Sequence, residues 1–217
     1  MSEKLNNSVF NDLMTDDLKF LFNLFEKYSF ELRIAGGAVR DLLMGIKPHD
    51  IDFATTATPD QMKEIFTKEN IRMLHTNGEK HGTITIRLNE KENYEVTTLR
   101  IDAACDGRHA EVQFTNDWRL DANRRDLTVN SIFLTSDGTI IDFFGGYEDL
   151  KNLRIRFVGE PNKRIQEDYL RILRYFRFYG RICENESNHD KLSLEAIKNN
   201  AAGLDCMYFL INLMVTI

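Results

Sequence analysis

The stretch "FELRIAGGAVRDLLMGIKPHDIDFAT", residues 30–55, constrains the fold more than any other part of the chain. It reads as a short strand running into a glycine turn, a short helix ending at Gly45, and a second strand over "HDIDFAT". Before it, "DDLKFLFNLFEKY" repeats apolar residues at helical spacing; after it, "TPDQMKEIFTKEN" predicts a helix with Thr58 as N-cap and Pro59 at its first position. "GTITIRLN" and "NYEVTTLRI" are β-rich runs with a polar stretch between them, the pattern of a hairpin. Residues 103–123 read as a polar loop. "DLTVNSIFLT" predicts a further strand or helix, "GTIIDFFGG" a strand, and from about Glu160 the pattern turns helical. The expectation is an α+β fold, a mixed sheet with flanking helices.

Spacing within these elements points to chemistry. On a strand, side chains at i and i+2 share a face, so Asp50 and Asp52 are expected to present two carboxylates side by side. Adjacent anions repel unless a cation sits between them, and hard oxygen ligands of this kind suit Mg²⁺. Glu95, on another predicted strand, can supply a third carboxylate, and such a trio is equipment for phosphoryl or nucleotidyl transfer. Gly36 and Gly37 follow a strand and precede a helix, which allows the backbone to approach a triphosphate. Arg40, one turn into that helix, can add a charge-assisted phosphate contact, or else form a salt bridge with a neighbouring acid. The spacing differs from both GxGxxG and GxxxxGK[ST], which counts against a Rossmann site and a P-loop.

Composition excludes some classes. The chain has 217 residues and a net charge of −6, which argues against indiscriminate nucleic-acid binding, yet residues 151–181 hold nine basic against three acidic side chains. Three cysteines without CxxC spacing suggest neither a disulfide framework nor a zinc site. No stretch reaches the roughly 18 apolar residues of a membrane span. The N-terminus lacks a signal core or an Arg-rich amphipathic run, so a cytoplasmic or nuclear location is expected.

Five motifs in order, "GGAVRDLLMG" with "DID", "RRDLTVNSIF", "IIDFFGGYEDL" and "EDYLRILRYFRF", resemble the class II tRNA nucleotidyltransferases, the CCA-adding enzymes, and their poly(A) polymerase relatives. "GEKHGTITIRL" and "HAEVQFTNDW" resemble the eukaryotic type. The resemblance implies a polymerase β-like head with a small mixed sheet over residues 1–155, a helical neck over 156–204, and addition of CMP, CMP and AMP to tRNA 3′ ends from CTP and ATP without a nucleic-acid template. It further implies that Asp50 and Asp52 hold Mg²⁺, that Gly37 and Arg40 meet the triphosphate, that Glu95 is the third carboxylate, and that Arg125, Asp126 and Asn130 serve the sugar and phosphate side. A mitochondrial form is also implied.

Base choice has a physical reading on the helix "EDYLRILRYFR". Asp168 and Arg171, three residues apart, are expected about 60° apart around its axis, facing one ligand. Cytosine and adenine each present an amine donor beside a ring-nitrogen acceptor, matching a carboxylate beside a guanidinium, whereas guanine and uracil reverse that pattern. Arg174 and Arg177 continue the spacing; the resemblance places both near the nucleotide, and a basic face meeting RNA or neighbouring acids is the alternative. Tyr169, Tyr175, Phe176 and Phe178 are expected in the core rather than in a stacking site.

After "LSLEAIKNNAAGL" the pattern departs from the family, and residues 205–217, "DCMYFLINLMVTI", form a divergent apolar tail. The expectation is a shortened product whose helical body and tail are absent. A catalytically impaired nucleotide-binding form, or an enzyme of the poly(A) polymerase type, is the alternative to CCA addition.

Overall fold

The computed structural model describes residues 3–74, 76–89, 92–102, 112–183 and 189–204. They group into two compact units, Met1–Arg124 with Ile132–Phe143, and Arg125–Ser131 with Phe144–Ile217.

The first unit opens with helices α1 (Ser8–Leu13) and α2 (Asp16–Lys27), the latter capped by Thr15, whose hydroxyl accepts the Leu18 N–H. Strand β1 (Leu32–Ala35), helix α3 (Gly37–Leu43), strand β2 (Asp52–Thr55) and helix α4 (Pro59–Lys68) follow in the predicted order. A reciprocal capping box between Thr58 and Gln61 starts α4, with Pro59 at its first position. Strands β3 (Arg72–Leu74), β4 (Thr83–Leu88) and β5 (Glu92–Thr98) come next, then β6 (Arg100–Asp102), β7 (Val112–Phe114) and helix α5 (Trp118–Arg124). Strands β8 (Phe133–Leu134) and β9 (Ile140–Ile141) complete a seven-stranded sheet of order β3-β4-β5-β2-β1-β8-β9. Only β2 and β5 run parallel; the other neighbours are antiparallel, which makes the sheet mixed, as expected.

One face of this sheet is core. Ile34, Phe53, Ile84, Ile86, Tyr94 and Val96 are buried, together with Leu21 and Phe25 of α2 and Met62 and Phe66 of α4. Phe22 meets Phe53 edge-on at 5.7 Å, Phe53 meets Tyr94 at 6.0 Å, and Phe25 meets Phe66 at 6.0 Å. Alternation along the strands leaves the opposite face for polar side chains.

Two local expectations are corrected here. The strand predicted over "HDIDFAT" begins only at Asp52, because ladder pairing with β5 starts at Asp52 opposite Glu95; Asp50 lies in the bend before it. The loop predicted over residues 103–123 contains β7 and α5 in its second half. Polar composition hid an anchor: Trp118 and Ala122, four residues apart, are both buried, and the Trp118 ring meets Phe133 edge-on at 5.0 Å. Residues 103–111 of that loop, and the apolar tail at 205–217, lie outside the described residues.

The second unit joins a 3₁₀ turn at Thr128–Asn130 to helices α6 (Gly146–Lys151), α7 (Pro161–Glu167), α8 (Leu170–Ile182) and α9 (Lys191–Asn200). Leu127 bridges Phe157, so the "RRDLTVNS" segment lies alongside "RIRFV". Asn200 ties α9 to α7 by accepting from Gln166 and donating to Asn162. Tyr175 is buried, stacked on Phe157 at 5.5 Å and on Tyr179 at 6.1 Å. Phe178 is also core, whereas Phe176 is 45% exposed, against expectation.

Candidate functional site

In the first unit, the polar face of the sheet carries the carboxylates. Asp52 and Glu95 are direct partners in the parallel register of β2 and β5, so both point to that face, and both are exposed. Their neighbours flank them with hydroxyls, Thr83 and Thr97, whose Oγ1 atoms lie 2.9 Å apart. Asp50, two residues before Asp52, is exposed, with Oδ1 3.0 Å from His49 Nδ1. Among the described residues no three His, Cys, Asp or Glu side chains converge closely enough to hold a metal ion. The donor chemistry nevertheless fits a hard divalent cation: two exposed carboxylates in register and a third just before their strand, all oxygen.

The glycine turn sits at the start of α3. Gly36 has φ 67° and ψ −126°, a conformation that side chains avoid, and its N–H donates to the Ile132 carbonyl at 3.2 Å. Gly37 is the first helical residue, and a Cβ there would lie 3.6 Å from the Arg40 guanidinium. That guanidinium is buried, with Nε and Nη2 donating to Asp41 Oδ1 at 2.9 and 2.7 Å. Of the two readings of Arg40, the salt bridge is therefore present, and it brings the charge to the glycine turn.

Sequence reading missed Arg33. It faces Ala54 across β1 and β2, which places it on the Asp52 face, and its guanidinium stacks 3.9 Å from the Trp118 ring centre while pairing with Glu31. Burial lowers its pKa, against Glu31, which raises it. The alternation of "LRIA" is the signal that marks Arg33 as the one outward residue of a buried strand.

In the second unit, Asp126 is buried and accepts Arg174 Nε at 2.6 Å. The Asp126 hydrogen bond raises the Arg174 pKa above its ordinary value, opposed by partial burial and helped by the charge of Asp168. Arg125 Nη1 donates to the Asn130 carbonyl at 3.2 Å and closes the 3₁₀ turn, in which Asn130 is buried.

The predicted geometry of Asp168 and Arg171 is corrected. The helix expected to carry both breaks at Asp168, which has extended backbone between α7 and α8 and caps the Leu170 N–H at 3.0 Å. A carboxylate this short prefers capping to continuing a helix, so the 60° relation does not apply. Arg171 turns back instead, pairing with Glu167 and donating to the Arg164 carbonyl at 3.0 Å. The structure thus brings Asp126, Arg174 and Asp168 together and sends Arg171 to the end of α7. Arg177 is exposed, its guanidinium 5.3 Å from the Phe178 ring centre.

The chain is similar to known proteins in sequence and in fold. The family model of the poly(A) polymerase head domain matches residues 32–156. The mitochondrial CCA tRNA nucleotidyltransferase 1 of Homo sapiens is 66% identical over 201 residues, 93% of this chain and 46% of that protein. A CCA-adding enzyme of Lactobacillus helveticus is 40% identical over 177 residues, 81% of this chain and 42% of its own. The CTP complex of the Bacillus stearothermophilus CCA-adding enzyme superposes with a TM-score of 0.74 at 33% identity, over 91% of this chain and 45% of that one. The chain spans about half the length of the relatives it matches.

Proposed function

From a chain that belongs to the poly(A) polymerase head-domain family, we propose metal-dependent nucleotidyl transfer that adds CMP, CMP and AMP to tRNA 3′ ends from CTP and ATP. The observation that carries this reading is the in-register, exposed pair Asp52 and Glu95 beside the Gly36–Gly37 turn. The names of the similar enzymes supply the tRNA substrate, and the mitochondrial name of the human relative supplies the compartment. Under this reading residues 1–155 serve as the transferring head and residues 156–204 as the nucleotide-selecting neck.

In the reaction the RNA 3′-hydroxyl oxygen attacks the α-phosphorus of the nucleotide and gives up its proton to water, a phosphodiester bond forms, and pyrophosphate leaves with the electrons of the broken P–O bond. Asp50 and Asp52 would hold the metal, with Glu95 as third carboxylate on the same rim. Bound Mg²⁺ supplies positive charge against the triphosphate and the oxygens that become more negative. Gly36 and Gly37 let the backbone approach the phosphates, and Arg40 adds charge at that turn. Arg125, Asp126 and Asn130 serve the sugar and phosphate side. Asp168 accepts from the amine of cytosine or adenine, Arg171 donates to the adjacent ring nitrogen once drawn from Glu167, and Arg174 and Arg177 steady the nucleotide.

The test is transfer of labelled CMP to a tRNA ending before its CCA. Chelation of divalent metal is expected to abolish transfer, Mg²⁺ to restore it, and Asp52→Ala to reduce it to background with the fold retained. Asp168→Ala is expected to relax rejection of GTP and UTP. Undiminished turnover in Asp52→Ala removes the metal assignment, and an unchanged base preference in Asp168→Ala removes the selection assignment.

A further inference from the structure

Asp149 is a carboxylate with no solvent exposure, carried on α6. Its Oδ2 accepts the Thr128 hydroxyl at 2.7 Å and Arg156 Nε at 2.8 Å, while its Oδ1 accepts Arg154 Nε at 2.8 Å. Arg154 Nη2 also reaches Oδ1, at 2.7 Å. Only the carboxylate of this cluster is fully buried, the Arg154 and Arg156 side chains being 39% and 36% exposed, and ion pairs whose cations stay partly in water are a weak source of stability. Its value therefore lies in what it holds.

Thr128 begins the 3₁₀ turn that ends at Asn130, and the segment around it is laced to the residues after Asp149. The Thr128 N–H donates to the Arg156 carbonyl at 3.0 Å, and the Val158 N–H donates to the Asp126 carbonyl at 2.9 Å. The Ser131 hydroxyl returns to the Thr128 carbonyl at 2.8 Å. Asp126, two residues before Thr128, meets Arg174, and Asn130, two residues after it, is buried at the other end of the turn. Every link lies within the second unit.

We infer that Asp149, held by Arg154 and Arg156, is a positioning residue that acts through the Thr128 hydroxyl to fix Asp126 against Arg174 for nucleotide binding, without touching the nucleotide itself. The nucleotide part of this inference rests on the proposed transfer function; the geometric part does not.

The experiment compares the full chain with Thr128→Val, which keeps shape and deletes the hydroxyl, and Thr128→Ser, which keeps the hydroxyl. Two quantities are measured well below the melting temperature of each protein: CTP affinity by calorimetry, and hydrogen exchange of the Arg174 Nε–H by NMR. A hydrogen bond to a charged group is worth enough for about a tenfold effect. Thr128→Val is expected to weaken CTP binding about tenfold and to speed Arg174 exchange by a similar factor, with Thr128→Ser within about twofold of the parent in both. A merely structural threonine would shift melting and leave both quantities unchanged. Unchanged CTP affinity and exchange in Thr128→Val, or equal losses in the valine and serine variants, would overturn the inference. A parent chain that does not bind CTP overturns the proposed function instead, and the Arg174 exchange then decides the positioning claim by itself.

Discussion

At the scale of single residues, Gly36 is held in a conformation that only glycine adopts readily. Its φ of 67° and ψ of −126° place it where a Cβ is strained, and the same residue donates its N–H to the Ile132 carbonyl. Gly36→Ala is expected to lower unfolding free energy by about 1–3 kcal/mol, read from urea denaturation, and to weaken nucleotide binding; an unchanged unfolding midpoint would contradict the backbone reading. This residue was legible in the sequence, because a glycine pair between a strand and a helix announces an unusual turn. Asp52 and Glu95 were legible for a similar reason: each begins or interrupts an apolar alternation, and strand pairing does the rest. Asp168 was legible as a residue but not as a geometry, since the sequence offered an unbroken helical period and the carboxylate instead caps a new helix. Asp149 was legible only as one letter of the "IIDFFGGYEDL" motif, without a role; tertiary contact with Thr128, Arg154 and Arg156 reveals it as buried.

At the scale of elements, the helix starts are written in the chain and the supports of the site are not. α7 begins at Pro161 with Glu160 as its cap, the carboxylate accepting the Asn162 and Lys163 N–H groups at 3.0 and 2.9 Å. The Lys163 backbone hydrogen bond, then that of Asn162, holds the Glu160 pKa below its ordinary value of 4.5. A carboxylate whose folded pKa is depressed stabilises the fold above the unfolded value and loses that contribution as pH falls through the folded value. The first turn of α7 is therefore expected to loosen only below the ordinary carboxylate range, seen as faster amide exchange at Asn162 and Lys163 once intrinsic rates are divided out. Glu160→Gln should flatten that pH dependence, and a parent-like profile in the variant would remove the cap from the explanation. The short helix α5 shows the opposite case. Its charged sequence reads as loop, while one indole, buried over Arg33 and against Phe133, fixes it beside the sheet.

At the scale of the whole molecule, the two compact units divide the proposed labour: carboxylates and glycine turn in the first, Asp126, Arg174 and Asp168 in the second. The sequence marked most of the second unit by its turn to a helical pattern from about Glu160. It did not show that Arg125–Ser131 is grouped there as well, because that grouping depends on bonds from Asp126 and Thr128 to residues more than twenty positions away. The family was legible from motif order, and the match to the poly(A) polymerase head model over residues 32–156 bears it out. The central claim is ordered addition without a template. Its most direct test is sequencing of tRNA 3′ ends after incubation of this chain with Mg²⁺, CTP and ATP on tRNA lacking its last three nucleotides. The proposed function predicts ends extended by C, C and A in that order, and none when Asp52 is replaced by Ala; runs of A alone, or ends left unextended by a chain that binds CTP, would contradict it.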